Sequence, residues 1–418
     1  MTILHSIFGY FSILILAWLC GRRSKLVAWR TIFIASIIQI CLAGLFLHTS
    51  ISQPVFSTAQ RFTTLLQETA LKASESLLFG GITNNEFIAN YGPVVAIQLA
   101  SITIFVSSVS RLLYHYRVLP WFIVGISRIM QRTLGISSVE SIGVSANIFL
   151  GMTESPLLIR PYIEKLTDSE LFCIMTAGMA TIAGAVMVIY ASMLNDTHPQ
   201  IAGHLFIASL ISAPASIGIA KLMFPETELP ATSKIKIKLP SKDTQNGLDA
   251  AARGAIEGTT LVINILAMLI AFIGLVALIN QFIGWLDLII LDGEGKWSLE
   301  SISGVIMRPI VWTMGIPWRE TISVGELMGI KTILNEFVAY SKLAILMESS
   351  NPLSERTFVI TTYALCGFAN FGSVAIIIGG IGSIAPKRRG DLSRLGIRSL
   401  IGGTLTTIMT GTVVGCFL

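Results

Sequence analysis

Two carboxylates stand where an apolar chain should not tolerate them. Glu154 lies in Asn147-Ile148-Phe149-Leu150-Gly151-Met152-Thr153-Glu154-Ser155-Pro156, and Glu336 lies in Asn335-Glu336-Phe337-Val338-Ala339-Tyr340. Each sits in a moderately apolar segment, about 137–163 and about 320–349, too polar at its centre to face lipid. An ionised side chain at membrane depth is costly unless it is paired or reached by water, which makes both residues candidates for function. The plainer reading of Glu154 is a carboxylate at a helix N-terminus, stabilised by the dipole. Gly151 and Pro156 break helices, and broken helix ends expose carbonyls that can hold a small cation and N–H groups that can hold a polar substrate.

Each segment is followed by an interrupted apolar span. The first reads Met175-Thr176-Ala177-Gly178-Met179-Ala180-Thr181-Ile182-Ala183-Gly184. Its glycines can serve close helix packing. A kink among them would also free the Thr181 hydroxyl and nearby carbonyls, and oxygen-only ligands suit a hard cation such as Na⁺. The second reads Ala364-Leu365-Cys366-Gly367-Phe368-Ala369-Asn370-Phe371-Gly372-Ser373. Asn370 and Ser373 add donors and acceptors beside Glu336, whose carboxylate can accept from two adjacent hydroxyls, as on a ribose. Phe368 offers an aromatic face to a base, although taken alone it reads as a core residue.

The elements that position these residues must be membrane helices. The chain of 418 residues is 53% hydrophobic and 13% charged, with a mean hydropathy of +0.74. Soluble domains carry about 25% charged residues. Eight apolar runs are long enough to span, at roughly 3–20, 31–47, 93–113, 168–194, 204–224, 258–286, 354–382 and 396–417. Residues 55–79, 119–135 and 299–316 alternate polar and apolar residues at helical spacing and read as amphipathic interfacial helices. The segments around the two carboxylates read as re-entrant hairpins, with tips near Asn147–Pro156 and Asn335–Tyr340. The first span has no basic stretch before it, so it reads as a retained helix and not as a signal peptide.

Charge sets the expected topology. With the first span running inward, the cytoplasmic segments hold 21 of the 29 Lys and Arg residues against 8 elsewhere, Lys331 among the latter. Both termini then lie outside, and the hairpins enter from opposite faces. The net charge of +5 forms no basic stripe with aromatics, which excludes nucleic acid as a partner. The five cysteines are scattered through apolar stretches and read as small packers, not disulfides or metal ligands. No histidine pair has metal spacing, and no nucleophile–base or phosphate-loop motif occurs, so an enzyme is not expected.

The fold class is therefore an all-α polytopic membrane protein with eight transmembrane helices, two hairpins and interfacial helices. The expected units are 1–92 (two spans and an amphipathic helix), 93–136 (scaffold), 137–224 (first hairpin, broken helix, fifth span), 225–257 (cytoplasmic linker), 258–319 (scaffold) and 320–418 (second hairpin, broken helix, last span). Hairpin followed by broken span occurs twice with opposite entry, the plan of an inverted repeat whose broken helices build a site at the midplane.

The segments GMTESPLLIRPYIEKLTDSELFCIMTAGMATIAGA, NEFVAY and ALCGFANFGS resemble the concentrative nucleoside transporters of bacteria and animals. The resemblance runs over roughly residues 90–418; the first two spans match that family in hydropathy alone. It implies a homotrimer in the inner membrane that imports nucleosides with Na⁺ or H⁺ by an elevator-like movement. It also implies that Thr153, Glu154 and Val186 contact the nucleobase and that Glu336, Asn370 and Ser373 contact the ribose, with Phe368 near the base. The Na⁺ ligands it implies are Asn147, the Leu150 carbonyl, the Thr181 hydroxyl and the Ile182 carbonyl. Met152 stands where the family often has Gln, and a thioether cannot donate a hydrogen bond, which leaves base preference open. Na⁺-driven nucleoside symport leads. A different small polar solute on the same fold is second, disfavoured for amino acids because no Arg lies at a hairpin tip. A membrane enzyme and a passive channel follow.

Overall fold

The computed structural model describes residues 2–23, 26–49, 52–78, 95–195, 197–233, 235, 244–290 and 297–418. Among them the regular structure is entirely helical. The peripheral elements are α1 (Thr2–Cys20), α2 (Trp29–His48), α3 (Ser52–Leu78), α4 (Val95–His115) and α5 (Val118–Leu134). The first hairpin is α6 (Ser138–Asn147), α7 (Ser155–Leu158) and a 3₁₀ turn, Arg160–Lys165. The broken helix α8 (Asp168–Ala180)/α9 (Gly184–Leu194) follows, then α10 (Ile201–Met223) and the long α11 (Gly247–Ile290). The remaining elements are α12 (Leu299–Thr313), the second hairpin α13 (Thr321–Ile333)/α14 (Glu336–Glu348), the broken helix α15 (Glu355–Leu365)/α16 (Phe371–Ile384) and α17 (Arg389–Phe417).

Seven helical stretches among the described residues are long and apolar enough to cross a membrane. The eighth expected span is split by its break into helices of 11 and 14 residues, each too short alone. Burial separates a periphery from a core. The apolar windows of α1, α2, α4 and α11 are at most 28% buried, whereas those of α8/α9 and α10 are 89% buried. Glycines set the close crossings. The Gly254-x-x-x-Gly258 pattern of α11 lies against α4, where an added Cβ would come within 2.6 Å of the Ser107 carbonyl oxygen and 2.8 Å of Ile104 Cα.

Several expectations need correction. The second hairpin turns at Leu334–Asn335, and Glu336–Tyr340 already belongs to α14, because the Asn335 side chain caps that helix by accepting from the Val338 N–H at 3.0 Å. The returning limb of the first hairpin is one helical turn plus a 3₁₀ turn, since Pro156 and Pro161 remove two backbone donors. The first break spans Thr181–Ala183, with Gly178 and Ala180 still in α8 and Gly184 opening α9; Gly372 likewise lies within α16. Lys331, and Lys221 at the start of the cytoplasmic segment 221–253 in the charge count, are buried, 0% and 5% exposed, so neither is a topology signal. Lys221 pairs with Glu140 at 2.7 Å and donates to Ser169 Oγ at 3.0 Å, tying α10 to the base of the first hairpin. Cys173 and Cys366 are buried packers, but Cys20 and Cys41 are exposed. Part of the expected cytoplasmic linker (234 and 236–243) lies outside the described residues.

Candidate functional site

The breaks of the two broken helices lie against each other. A Cβ on Gly367 would fall 2.9 Å from the Met179 carbonyl oxygen and 3.0 Å from the Ala180 carbonyl carbon, so glycine lets the two backbones touch. The first hairpin tip closes on the same junction. The Gly184 N–H donates to the Phe149 carbonyl at 3.1 Å, and Gly178 leaves room for Met152, whose Cβ would be 3.0 Å from an added methyl. On the other side of the tip, Gly380 of α16 accommodates Thr153, whose Cγ2 would be 2.9 Å from an added Cβ. Met152 and Thr153 thus sit between α8 and α16.

Glu336 is 5% exposed and clasped from two elements. Tyr190 of α9 donates its hydroxyl to Oε1 at 2.7 Å, and Asn370 donates through Nδ2 to Oε2 at 2.9 Å. Asn370 also caps α16, its Oδ1 accepting from the Ser373 N–H at 2.7 Å. Two capped N-termini, of α14 and α16, therefore converge on one carboxylate, which their dipoles favour. The Tyr190 ring stacks on Tyr340, with centroids 4.6 Å apart, and the Tyr340 hydroxyl donates to the Thr362 carbonyl at 2.7 Å. Phe368 is half-buried beside this cluster's Asn370.

The first half is more open. Glu154 is exposed and lines a cavity of about 400 Å³ with Leu150, Ala183, Arg111 and Glu257, between the first hairpin and α4 and α11. Its carboxylate accepts a long hydrogen bond from the Gly151 N–H at 3.5 Å. Glu336, Asn370, Ser373 and Phe368 do not line that cavity. Val186 is buried one turn before Tyr190 in α9.

The four expected cation ligands lie where α6 and α8 end. Asn147 is the last residue of α6; its Oδ1 accepts from Ser155 at 2.8 Å and would lie 3.6 Å from a Cβ on Gly178. Its buried Nδ2 has no hydrogen-bond partner among the described residues. Thr181 donates its hydroxyl proton to the Ala177 carbonyl at 2.9 Å, so the oxygen lone pairs are what it offers a ligand. Ile182 is buried in the break, and Leu150 is buried in the tip. Among the described residues no group of three His, Cys, Asp or Glu could hold a metal, and an amide, a hydroxyl and carbonyls are a donor set for a hard monovalent cation.

Profiles described as the C-terminus and the N-terminus of Na⁺-dependent nucleoside transporters match residues 204–415 and 8–82, and one described as nucleoside recognition (Gate) matches 96–197. The chain is 36% identical to the nucleoside permease NupC of Helicobacter pylori, over 99% of this chain and 98% of that protein. It is 39% identical to solute carrier family 28 member 3 of Mus musculus, over 97% of this chain but only 58% of that longer protein. It belongs to the concentrative nucleoside transporter family. Among solved structures it is similar to CNTnw in an inward-facing substrate-bound state, with a TM-score of 0.91, 35% identity and coverage of 100% of this chain and 98% of that one.

Membership in that family makes the chain a multi-pass membrane transporter and not an enzyme. It also extends the resemblance over the first two spans, where sequence motifs are faint because many apolar side chains serve a lipid-facing surface. Two further residues join the site. Tyr190 does not stand out in the sequence, because it sits in an apolar run and meets Glu336 across 146 residues. Lys331, which enters the sequence analysis only in the charge count, lies in the same hairpin as Glu336. Its signal was a lone Lys in the run Gly329-Ile330-Lys331-Thr332-Ile333-Leu334.

Proposed function

We propose that this chain imports nucleosides across the inner membrane by symport with Na⁺. The observation that carries the substrate half is the Glu336 clasp. An ionised carboxylate offers about four lone-pair directions, and Tyr190 and Asn370 occupy two of them. The remaining two suit the vicinal hydroxyls of a ribose. Asn370 and Ser373 supply further polar groups to the sugar, and Phe368 supplies a face to the base. Met152, Thr153, Glu154 and Val186 hold the base from the first half. Met152 accepts weakly and donates nothing, so the base is selected by shape and by Thr153 and Glu154.

The ion half is the end of α6 and α8. Helix C-termini leave carbonyls without intrahelical partners and favour cations. There Asn147, the Leu150 and Ile182 carbonyls and the Thr181 hydroxyl form the Na⁺ site. Because the first hairpin tip contacts both the ion ligands and the substrate residues, an ion that orders the tip completes the nucleoside site. Alternating access is an elevator movement of the two hairpins and broken helices against a scaffold of α4 and α11, in a homotrimer. The exposed apolar face of α11, with Ile270 76% and Phe282 58% exposed, supports its place against lipid and neighbouring copies.

Proton coupling is the second reading, favoured by the exposure of Glu154 on the cavity. The test is uptake of radiolabelled uridine and adenosine into proteoliposomes under an inward Na⁺ gradient, an inward H⁺ gradient or neither. Accumulation above equilibrium with Na⁺ alone is expected. Accumulation with H⁺ alone would replace the ion, and no accumulation of either nucleoside would overturn the substrate.

A further inference from the structure

In each half of the core, the leading limb of a hairpin and the leading half of a broken helix end together. These are α6 and α8 in the first half and α13 and α15 in the second. Both junctions gather the carbonyl ends of two helices, which favours positive charge. In the second half the charge is already present. Lys331, in the last turn of α13, is 0% exposed. Its ammonium donates to the Ala364 carbonyl at 2.8 Å, one residue before the end of α15, and to Thr407 Oγ1 of α17 at 2.9 Å. Thr407 donates its own proton to the Thr404 carbonyl at 3.1 Å, so it turns lone pairs to Lys331. Thr181 has the same arrangement in the first half, its proton on the Ala177 carbonyl. A carbonyl at a helix end and a hydroxyl with a committed proton thus occur at both junctions.

We propose that Lys331 is a tethered cation, filling at the carbonyl end of α15 the place that the coupling ion takes at the carbonyl end of α8. The inference rests on the Na⁺ reading of the first junction. It gives the second half a specific role: Glu336 and Lys331 lie five positions apart on the two sides of one hairpin turn, a carboxylate beside an ammonium whose charges offset. The ribose-binding half therefore moves as a nearly neutral unit that takes up no ion of its own. Lys331 is a positioning residue, acting on the nucleoside through Glu336 and the end of α15.

The test is uridine binding to the purified protein, titrated against Na⁺, in wild type, Lys331→Met and Lys331→Ala. Methionine keeps the volume without the charge, and alanine leaves a space lined by the Ala364 carbonyl and the Thr407 hydroxyl. Both variants should bind uridine about ten- to a hundredfold more weakly at low Na⁺, the range a charged hydrogen bond carries. Only Lys331→Ala should recover at high Na⁺, with a Hill coefficient for Na⁺ rising from about one to about two as a second ion enters. Binding within about twofold of wild type in both variants, or equal losses in both at every Na⁺ concentration, would overturn the proposal. If Lys331→Ala does not fold, Lys331→Met decides alone, and near-wild-type uridine affinity overturns it. A wild-type titration with no Na⁺ dependence would fell the underlying ion reading and this inference with it, and the wild-type curve distinguishes that failure from the others.

Discussion

The two halves of the core share a plan but not a state. In the second half a buried carboxylate is clasped by Tyr190 and Asn370 and accompanied by a buried lysine. In the first half Glu154 stands exposed on a cavity, and Asn147 keeps a buried amide nitrogen without a partner among the described residues. Held by two donors, the Glu336 carboxylate is fixed in place yet keeps spare lone pairs, whereas the Asn147 amide is an incompletely satisfied group of the kind where a ligand is expected. The difference teaches a division of labour: the closed half holds a fixed recognition surface, and the open half exchanges its ion and orders its tip around the substrate.

The largest effect should come from breaking the closed half. Glu336→Gln replaces an acceptor oxygen by an NH₂ group that must face either the Tyr190 hydroxyl, which would have to turn from donor to acceptor, or the Asn370 NH₂, which can only donate. Uridine uptake in proteoliposomes should fall by about a hundredfold or more with unchanged expression and size-exclusion profile. Uptake near wild type would remove Glu336 from the ribose site. Tyr190→Phe removes one of the two donors while keeping the ring stacked on Tyr340. Uridine affinity should drop about tenfold by isothermal calorimetry at saturating Na⁺, with the Na⁺ half-saturation unmoved. A shift in Na⁺ dependence instead would mean that the halves are not separable in this way.

Breaking the open half should have a different signature. Thr181→Val deletes one oxygen ligand at nearly constant volume. The Na⁺ concentration for half-maximal uptake should rise about three- to tenfold, roughly one lost hydrogen-bond-sized contact, with maximal uptake preserved. An unchanged Na⁺ curve would move the ion elsewhere. The smallest effect is expected at Met152, which packs over Gly178 in the tip. Met152→Gln adds a donor toward the base and should change the uridine-to-adenosine uptake ratio by about threefold to tenfold, in the range of a single hydrogen bond. An unaltered ratio would take Met152 out of base selection.

Much of this arrangement is legible in the sequence, because lipid makes every polar residue at depth conspicuous. Glu154, Glu336 and Asn370 stand out against apolar surroundings, and Gly151, Pro156 and Gly367 mark where helices end. What escapes is pairing across long sequence distances. Tyr190 reads as part of a span until Glu336 is placed beside it, and Lys331 and Lys221 count only toward the charge asymmetry until Ala364, Thr407 and Glu140 are seen to receive them. The exact ends of the breaks also escape, because capping by Asn335 and Asn370 starts α14 and α16 just after the cap, and a glycine count cannot locate that residue.

The ion site of the first half and the ribose site of the second are coupled through the first hairpin tip, which carries both ion ligands and base contacts. Coupled binding is reciprocal: whatever factor Na⁺ contributes to uridine affinity, uridine must contribute to Na⁺ affinity. The decisive measurement is the pair of titrations on the purified wild-type protein, uridine with and without Na⁺ and Na⁺ with and without uridine. The account predicts that each ligand tightens the other by the same factor, about fivefold to a hundredfold, the usual span of such coupling. Uridine binding that is indifferent to Na⁺ would contradict it.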